Sequence, residues 1–309
     1  MEYICFITQF TCINSIPPYS TRMRLLPFLI TAAFFTSLRA LAHESAGHPT
    51  RETGAVLTEI GTELYLGKHG YWHGGAALTV PLGSKLSLVL GAHVVREETG
   101  AKEVPSFEAE LIREFAHGLE VEAFGFGYTK VERKQAWGVG VRATKRFALQ
   151  GGLSVAPFFG PAYARVEALE EAKDEAVTVG HLMLLGGVTL EAGLVSVTLL
   201  GSHSFYNRDP SDLETPVDIE SMTHFAAYEN NDGFARDTVA VELAWEVTEW
   251  LTLHARYAAM WFDEETRHAV AFTPAVKLGE HVELTAGVQF LRGGEVENDL
   301  LFGGLSVSF

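Results

Sequence analysis

From residue 54 onward, apolar and polar positions alternate with a period of two. Residues 250–262 put Leu251, Leu253, Ala255, Tyr257, Ala259 and Trp261 on one face and Thr252, His254, Arg256, Ala258 and Met260 on the other. Residues 282–291 repeat the pattern, with Val282, Leu284, Ala286, Val288 and Phe290 opposite Glu283, Thr285, Gly287 and Gln289. In 238–247, Val239, Val241, Leu243, Trp245 and Val247 oppose Thr238, Ala240, Glu242, Ala244 and Glu246. Successive side chains of an extended backbone point to opposite faces, so such runs predict strands and not helices. Fourteen segments qualify: 54–66, 71–81, 85–96, 106–116, 119–131, 134–146, 151–163, 177–190, 193–206, 236–247, 250–262, 268–279, 281–292 and 299–309. They exceed the ~5–6 residues of a typical soluble strand and suit the ~9–11 of a tilted strand crossing a bilayer.

The connections differ in kind. Tight ones at 81–85, 117–118, 191–193, 248–249 and 279–280 interleave with generally longer, charged ones at 97–105, 165–176 and 207–235. The alternation is imperfect, because the connections near 67–70 and 132–133 are also short. Segment 165–176 (RVEALEEAKDEA) reads as a helical turn or two with a solvated face. Short turns at one end and long loops at the other predict an all-β transmembrane antiparallel up-and-down β-barrel. The strand number is about fourteen, with twelve to sixteen admitted by the pattern. Aromatic residues gather at strand ends: Tyr65, Tyr71, Trp72, Tyr128, Phe205, Tyr206, Trp261 and Phe262 towards the loops, and Phe115, Phe147, Trp250 and Phe309 towards the turns. Two such belts are expected at the two bilayer interfaces.

The sequence finishes in a strand, with Leu301, Gly303, Leu305, Val307 and Phe309 on one face and Phe302, Gly304, Ser306 and Ser308 on the other. This stretch resembles the C-terminal signature of Gram-negative outer-membrane β-barrels of the porin-like superfamily, and it assigns no specific family. The resemblance implies that Phe309 belongs to an assembly signal read by the barrel-assembly machinery. It also implies that the last strand closes against the first, in a barrel similar to the monomeric fourteen-stranded porins. Outer-membrane lipid and lipopolysaccharide are then the surroundings of the outer face. The pattern marks no flat apolar wall of the kind that joins porin trimers, so it sets no oligomeric state.

Composition sharpens this picture. Among 309 residues, 47% are hydrophobic and 20% charged, which excludes a disordered chain. With 23 Lys and Arg against 39 Asp and Glu, the chain lacks the basic surface that a nucleic acid requires. Cys5 and Cys12 are the only cysteines, so neither a cysteine zinc site nor a disulfide framework is available.

Met23-Arg24, the apolar run 25–38 and Ala40-Leu41-Ala42 have the order of a secretory signal peptide and its cleavage site. The 14-residue run is short of the ~20 needed for a helical span. The expected organisation is therefore an upstream start extension at 1–22, a signal peptide at 23–42 and a barrel at 43–309. Removing residues 1–42 takes away Glu2, Arg22, Arg24 and Arg39, which leaves 38 acids against 20 bases and no cysteine.

Charge facing hydrocarbon costs about 2–4 kcal/mol at the bilayer midplane, so the polar faces should line the lumen. The expected lining residues are Glu63, Glu110, Arg142, Glu242, Glu246, His254, Arg256 and Glu283, in a wider set that includes Glu59, His73, His93, Glu108, Glu120, Glu122 and Lys277. Carboxylates outnumber bases there, and a wet pore so lined favours cations. Across the turn near Thr248-Glu249, matching parity sets Glu242 opposite either His254 or Arg256. The functional expectation is a channel in the outer membrane that passes small hydrophilic, cationic solutes. The alternatives are a barrel enzyme acting on lipid or peptide, and a structural or partner-binding barrel with a plugged lumen. Loop 207–235 carries seven acids, eight with Asp237, against Arg208 and Arg236, and either narrows the pore or stays outside.

Catalytic and metal motifs are sparse. Gly201-Ser202-His203-Ser204-Phe205 faintly resembles the His-x-Ser core of lipid A deacylases, with Phe205 where a serine is needed. His203 and Ser204, as strand neighbours, point to opposite faces and cannot pair directly. No catalytic residue and no cofactor are expected. His69 and His73 bracket the first loop, and His43 and His48 lie in the N-terminal tail; these four are weak metal candidates by spacing alone. Gly138 and Gly140 alternate within a strand and keep its backbone small.

Overall fold

The computed structural model describes residues 58–96, 102–131, 134–170, 175–208, 213–214, 235–262, 265–293 and 296–309. The alternating segments form long strands within it. The first five are Glu59–Leu66 (β1), Trp72–Gly83 (β2), Leu86–Arg96 (β3), Val104–Phe115 (β4) and Leu119–Val131 (β5). Then come Lys134–Lys145 (β6), Leu153–Glu170 (β7), Glu175–Ala192 (β8), Val195–Tyr206 (β9) and Asp237–Thr248 (β10). Leu251–Trp261 (β11), Thr266–Lys277 (β12), Val282–Gly293 (β13) and Val296–Ser308 (β14) complete the set. Two-residue strands at Phe147–Ala148 and Leu213–Glu214 both pair with β7.

Each long strand runs antiparallel to the next, and β14 returns to β1 with Glu59 facing Ser308 and Leu66 facing Leu301. The fourteen strands therefore make a closed barrel, as the alternation predicts. Closure leaves no sheet edge whose N–H and C=O groups would lack partners in hydrocarbon. The tight turns make this order possible, since antiparallel neighbours need only two residues between them. At the β4–β5 turn, His117 and Gly118 both take positive φ, 64° and 71°, which reverses the chain within two residues. Proline interrupts the ladder where it must: between β12 and β13 the pairing skips Thr273 and Pro274, because a proline nitrogen has no hydrogen to donate.

Segment 165–176 departs from expectation. In its described part it is extended: residues 165–170 continue β7 and residues 175–176 begin β8, with Glu170 facing Glu175. Arg165, Val166 and Glu167 alternate in polarity, and pairing with the facing strand outweighs the helix propensity of Glu and Ala. Both strands reach 18 residues, well beyond the ~9–11 that a crossing needs, so the hairpin projects past the bilayer on the loop side.

The two faces of the barrel differ. Ile60, Leu90, Phe107, Leu111, Val141, Phe159, Leu199, Val241, Phe272 and Leu301 are exposed on the outer face. The loop-end aromatic belt is thinner than the sequence suggests. Phe205 and Trp261 face outward, but Tyr71 and Tyr128 are buried, and Tyr65, Tyr206 and Phe262 pack against buried inner clusters. At the turn end Phe115, Phe147, Trp250 and Phe309 are all exposed. Strand-end position alone does not fix the face; parity does.

Candidate functional site

The inner wall is where polar chemistry gathers. Along β10, Glu242, Ala244 and Glu246 alternate with the exposed Val241, Leu243 and Trp245, so the two carboxylates point inward. The same reasoning places His254 and Arg256 on the inner face of β11 and Glu283 on that of β13. Glu63, Glu110 and Arg142 are also buried on the inner side. Sequence parity therefore places all eight residues on the inner face of the barrel, and the structure divides them into three groups.

The first group is a pair of cross-strand ion pairs. Glu242 faces Arg256 in the β10–β11 register, and Arg256 Nη2 donates to Glu242 Oε1. A bulge between Glu246 and Thr248 selects this register over the one that would bring in His254. On another wall Glu122 faces Arg142 across β5 and β6, and Arg142 Nη2 donates to Glu122 Oε2. Glu110 lies in the field of this second pair, beside Glu108. Below it, Arg146 Nη1 donates to both carboxylate oxygens of Glu191, at 2.9 and 2.7 Å. One guanidinium nitrogen thus bridges both oxygens, in a charge-assisted contact stronger than a neutral hydrogen bond.

The second group surrounds a cavity of about 500 Å³ at the turn end of the barrel. Glu59, Glu191, Glu246, Glu280 and Glu283 line it together with Lys277, His254 and His281. Five carboxylates against one lysine give the chamber a negative field. Lys277 faces Glu283 directly across β12 and β13.

The third group crosses β1 to β4. Glu63 Oε1 lies 3.4 Å from His93 Nδ1 and 3.7 Å from His73 Nε2, and His93 Nε2 lies 3.2 Å from Glu108 Oε1. All four side chains are at most 5% exposed. Of the four sequence-derived metal candidates, His43 and His48 lie outside the described residues. His69 belongs to the short 3-10 turn Lys68–Gly70, and the groups gathered around His73 are Glu63 and His93.

Sequence reasoning missed how inward side chains are seated. Phe124 faces Gly140, Phe126 faces Gly138, Phe158 faces Gly187 and Phe302 faces Gly287. A β-carbon at these glycines would meet the ring at 2.2–2.4 Å, so each ring lies flat over the bare backbone of the neighbouring strand. Polar residues use the same device: His93 lies over Gly75 and Glu108 over Gly91. Gly138 and Gly140 thus do more than keep their own strand slim. The inner wall also carries more apolar surface than expected, with Phe124, Phe158, Met183 and Leu185 buried in one cluster and Val95, Phe126, Val166 and Leu300 in another.

The serine and histidine of the 201–206 segment separate as strand geometry demands. Ser204 is buried, whereas His203 lies on the face of the exposed Phe205, with its Nδ1 2.7 Å from Asp237 Oδ1. The His203 ring packs edge-on against Phe205 at 4.4 Å.

No protein-family model matches the chain, and no curated protein matches it. Solved structures align with the chain, and one reaches a TM-score of 0.50. OccD3 (OpdP) of Pseudomonas aeruginosa aligns with a TM-score of 0.50 and 12% identity, over 86% of this chain and 95% of that one. OccAB1 of Acinetobacter baumannii aligns with a TM-score of 0.49 and 11% identity, over 78% and 68% of the two chains. A BenF-like porin of Pseudomonas fluorescens Pf-5 gives 0.46 and 8%, over 82% and 98%.

Proposed function

We propose that the barrel is a channel in the bacterial outer membrane that passes small hydrophilic solutes and favours cations. The carrying observation is the excess of carboxylates on the wall of the turn-end cavity, inside a closed barrel whose outer face is apolar. A wet, acidic vestibule concentrates cations and raises their rate of entry. The fold shared with OccD3 agrees with a channel. Glu63, Glu110, Arg142, Glu242, Glu246, His254, Arg256 and Glu283 are the residues we assign to the lining. Export through a signal peptide at 23–42, contact with lipopolysaccharide and insertion by the barrel-assembly machinery belong to this reading. So does the lack of catalysis: Phe205 stands where a His-x-Ser pair would need its nucleophile.

Single-channel recording of the purified, reconstituted protein tests the proposal. Discrete conductance steps with a reversal potential shifted towards the cation equilibrium potential are expected. A second reading, a structural barrel with a filled lumen, is favoured by the buried inner clusters around Phe124 and Phe126. A folded barrel that passes no current would select it.

A further inference from the structure

The inner wall formed by β1 to β4 holds a close group of buried titratable side chains. One potential ligand atom from each of His73, His93 and Glu63 lies within 4.8 Å of the other two, and all three residues are buried. We propose that these three residues bind a divalent transition-metal ion of the zinc class, with Glu108 orienting His93 from behind.

The distances fit such an ion. Zinc holds imidazole nitrogen and carboxylate oxygen at about 2.0–2.2 Å in a tetrahedron, which puts neighbouring ligand atoms roughly 3.3–3.5 Å apart. The Glu63–His93 separation of 3.4 Å already meets this, and the Glu63–His73 separation of 3.7 Å closes with a small rotation of either side chain. Two imidazoles with one carboxylate suit zinc, cobalt, nickel and copper better than magnesium or calcium, which prefer oxygen alone. Three protein ligands leave a fourth position open to the lumen.

The outer contacts point the same way. His93 presents Nδ1 to Glu63, 3.4 Å away, and Nε2 to Glu108, 3.2 Å away. A metal-bound imidazole commonly gives its second N–H to a carboxylate, which fixes the tautomer and raises the basicity of the ligating nitrogen. The divalent charge would also sit between two buried carboxylates, an arrangement that favours its retention.

The strands are built to permit this placement. A β-carbon at Gly75 would lie 2.0 Å from His93 Nδ1, the ligating atom itself, and one at Gly91 would lie 2.4 Å from Glu108 Oε1. Both side chains can lean across to the neighbouring strand only because those positions are bare. Tyr65, stacked on His73 with centroids 5.5 Å apart, limits the rotation of the second ligand ring. This inference goes beyond the channel reading and stands apart from it, since a barrel that conducts nothing would hold the ion equally well.

The test uses the purified, folded barrel after chelation and dialysis, with His43→Ala/His48→Ala as background so that the N-terminal tail contributes nothing. Titration with Zn²⁺ by calorimetry should show one saturable site per chain, and Co²⁺ should give the intense visible absorption of a four-coordinate ion. His93→Ala and Gly75→Ala should both abolish this site, the second without removing any ligand. Glu108→Gln should weaken it about 10–100-fold. Mg²⁺ should not compete. Heat-modifiable migration reports folding for every variant, and if Gly75→Ala does not fold, His93→Ala, which only removes volume, decides. Absence of saturable Zn²⁺ binding to the background protein, or binding that survives His93→Ala, would overturn the proposal.

Discussion

Glu242 and Arg256 stand directly opposite one another across the β10–β11 hairpin and join their charges on the inner face of the barrel. Each side chain is one-fifth exposed, so the pair is wet on one side and neither fully buried nor on an open surface. An ion pair facing lipid at this depth would cost more than it returned, whereas a lumen tolerates it. The pair also sits close to the acidic chamber formed by Glu246, Glu283 and their neighbours.

The first prediction follows from that position. Glu242→Gln takes this carboxylate from Arg256 and makes the wall more positive. Cation preference, read as the reversal potential in a salt gradient, should fall while the barrel stays folded. Because the pair is partly solvated, its coupling energy in a double-mutant cycle with Arg256→Gln should be near 1 kcal/mol. An unchanged reversal potential would move the selective charge to other carboxylates, with loop 207–235 the next to mutate.

A second prediction separates inward from outward glycines. Gly140 carries the Phe124 ring, and a β-carbon there would meet it at 2.2 Å, so Gly140→Ala must displace a buried aromatic. Overpacking of this kind costs about 1–3 kcal/mol. At Gly125 the nearest atom to an added β-carbon is 3.6 Å away, in ordinary contact. Gly125→Ala should therefore be neutral or stabilising by up to about 1 kcal/mol, through a less flexible unfolded chain. Urea unfolding in detergent or lipid vesicles measures both, and equal losses at the two sites would refute the seating argument.

The architecture was legible in the sequence because a barrel writes it locally. A period of two gives the strands, parity assigns the faces, and tight turns give the order of neighbours. Even the partner of Glu242 was narrowed to His254 or Arg256 by parity. The choice between them depended on a bulge after Glu246, which no alternation reveals. The composition of segment 165–176 favours a helix, while most of the strand that pairs with residues 165–170, Val177 to Gly180, lies beyond the segment. The Glu63–His73–His93 group was harder still. Its members sit on three strands, and they meet only once the β1–β2 and β2–β3 registers are known. Shared odd parity and the glycine opposite His93 were the available signals.

The third prediction concerns the terminal strand. Phe309 is 65% exposed on the outer face, and its N–H donates to the carbonyl of Thr58, beside the start of β1, at 2.9 Å. Its ring thus reaches lipid at the seam where the barrel closes. Phe309→Asp puts a charge there and removes the aromatic end of the proposed assembly signal. Export should continue while the yield of heat-modifiable barrel drops severalfold, as seen by semi-native electrophoresis of membrane fractions. Normal yields would detach Phe309 from assembly.

The fourth prediction contrasts the two ion pairs. Glu122 is 2% exposed at its side chain and Arg142 10%, so this pair is far drier than Glu242–Arg256. Glu110 and Glu108 lie close by, and Arg142 attenuates the repulsion among these carboxylates as well as pairing with Glu122. Removing one partner of a buried pair leaves a charge without compensation and costs about 3–5 kcal/mol. Arg142→Gln should therefore destabilise the barrel by more than Arg256→Gln does, with unfolding midpoints in urea as the measure. Adding Glu122→Gln to Arg142→Gln should restore part of the loss, because the amides can bond to each other and one buried carboxylate disappears. The partial rescue distinguishes lost charge balance from lost packing: a double variant as unstable as the sum of the singles would mean that the arginine acts through its contacts alone.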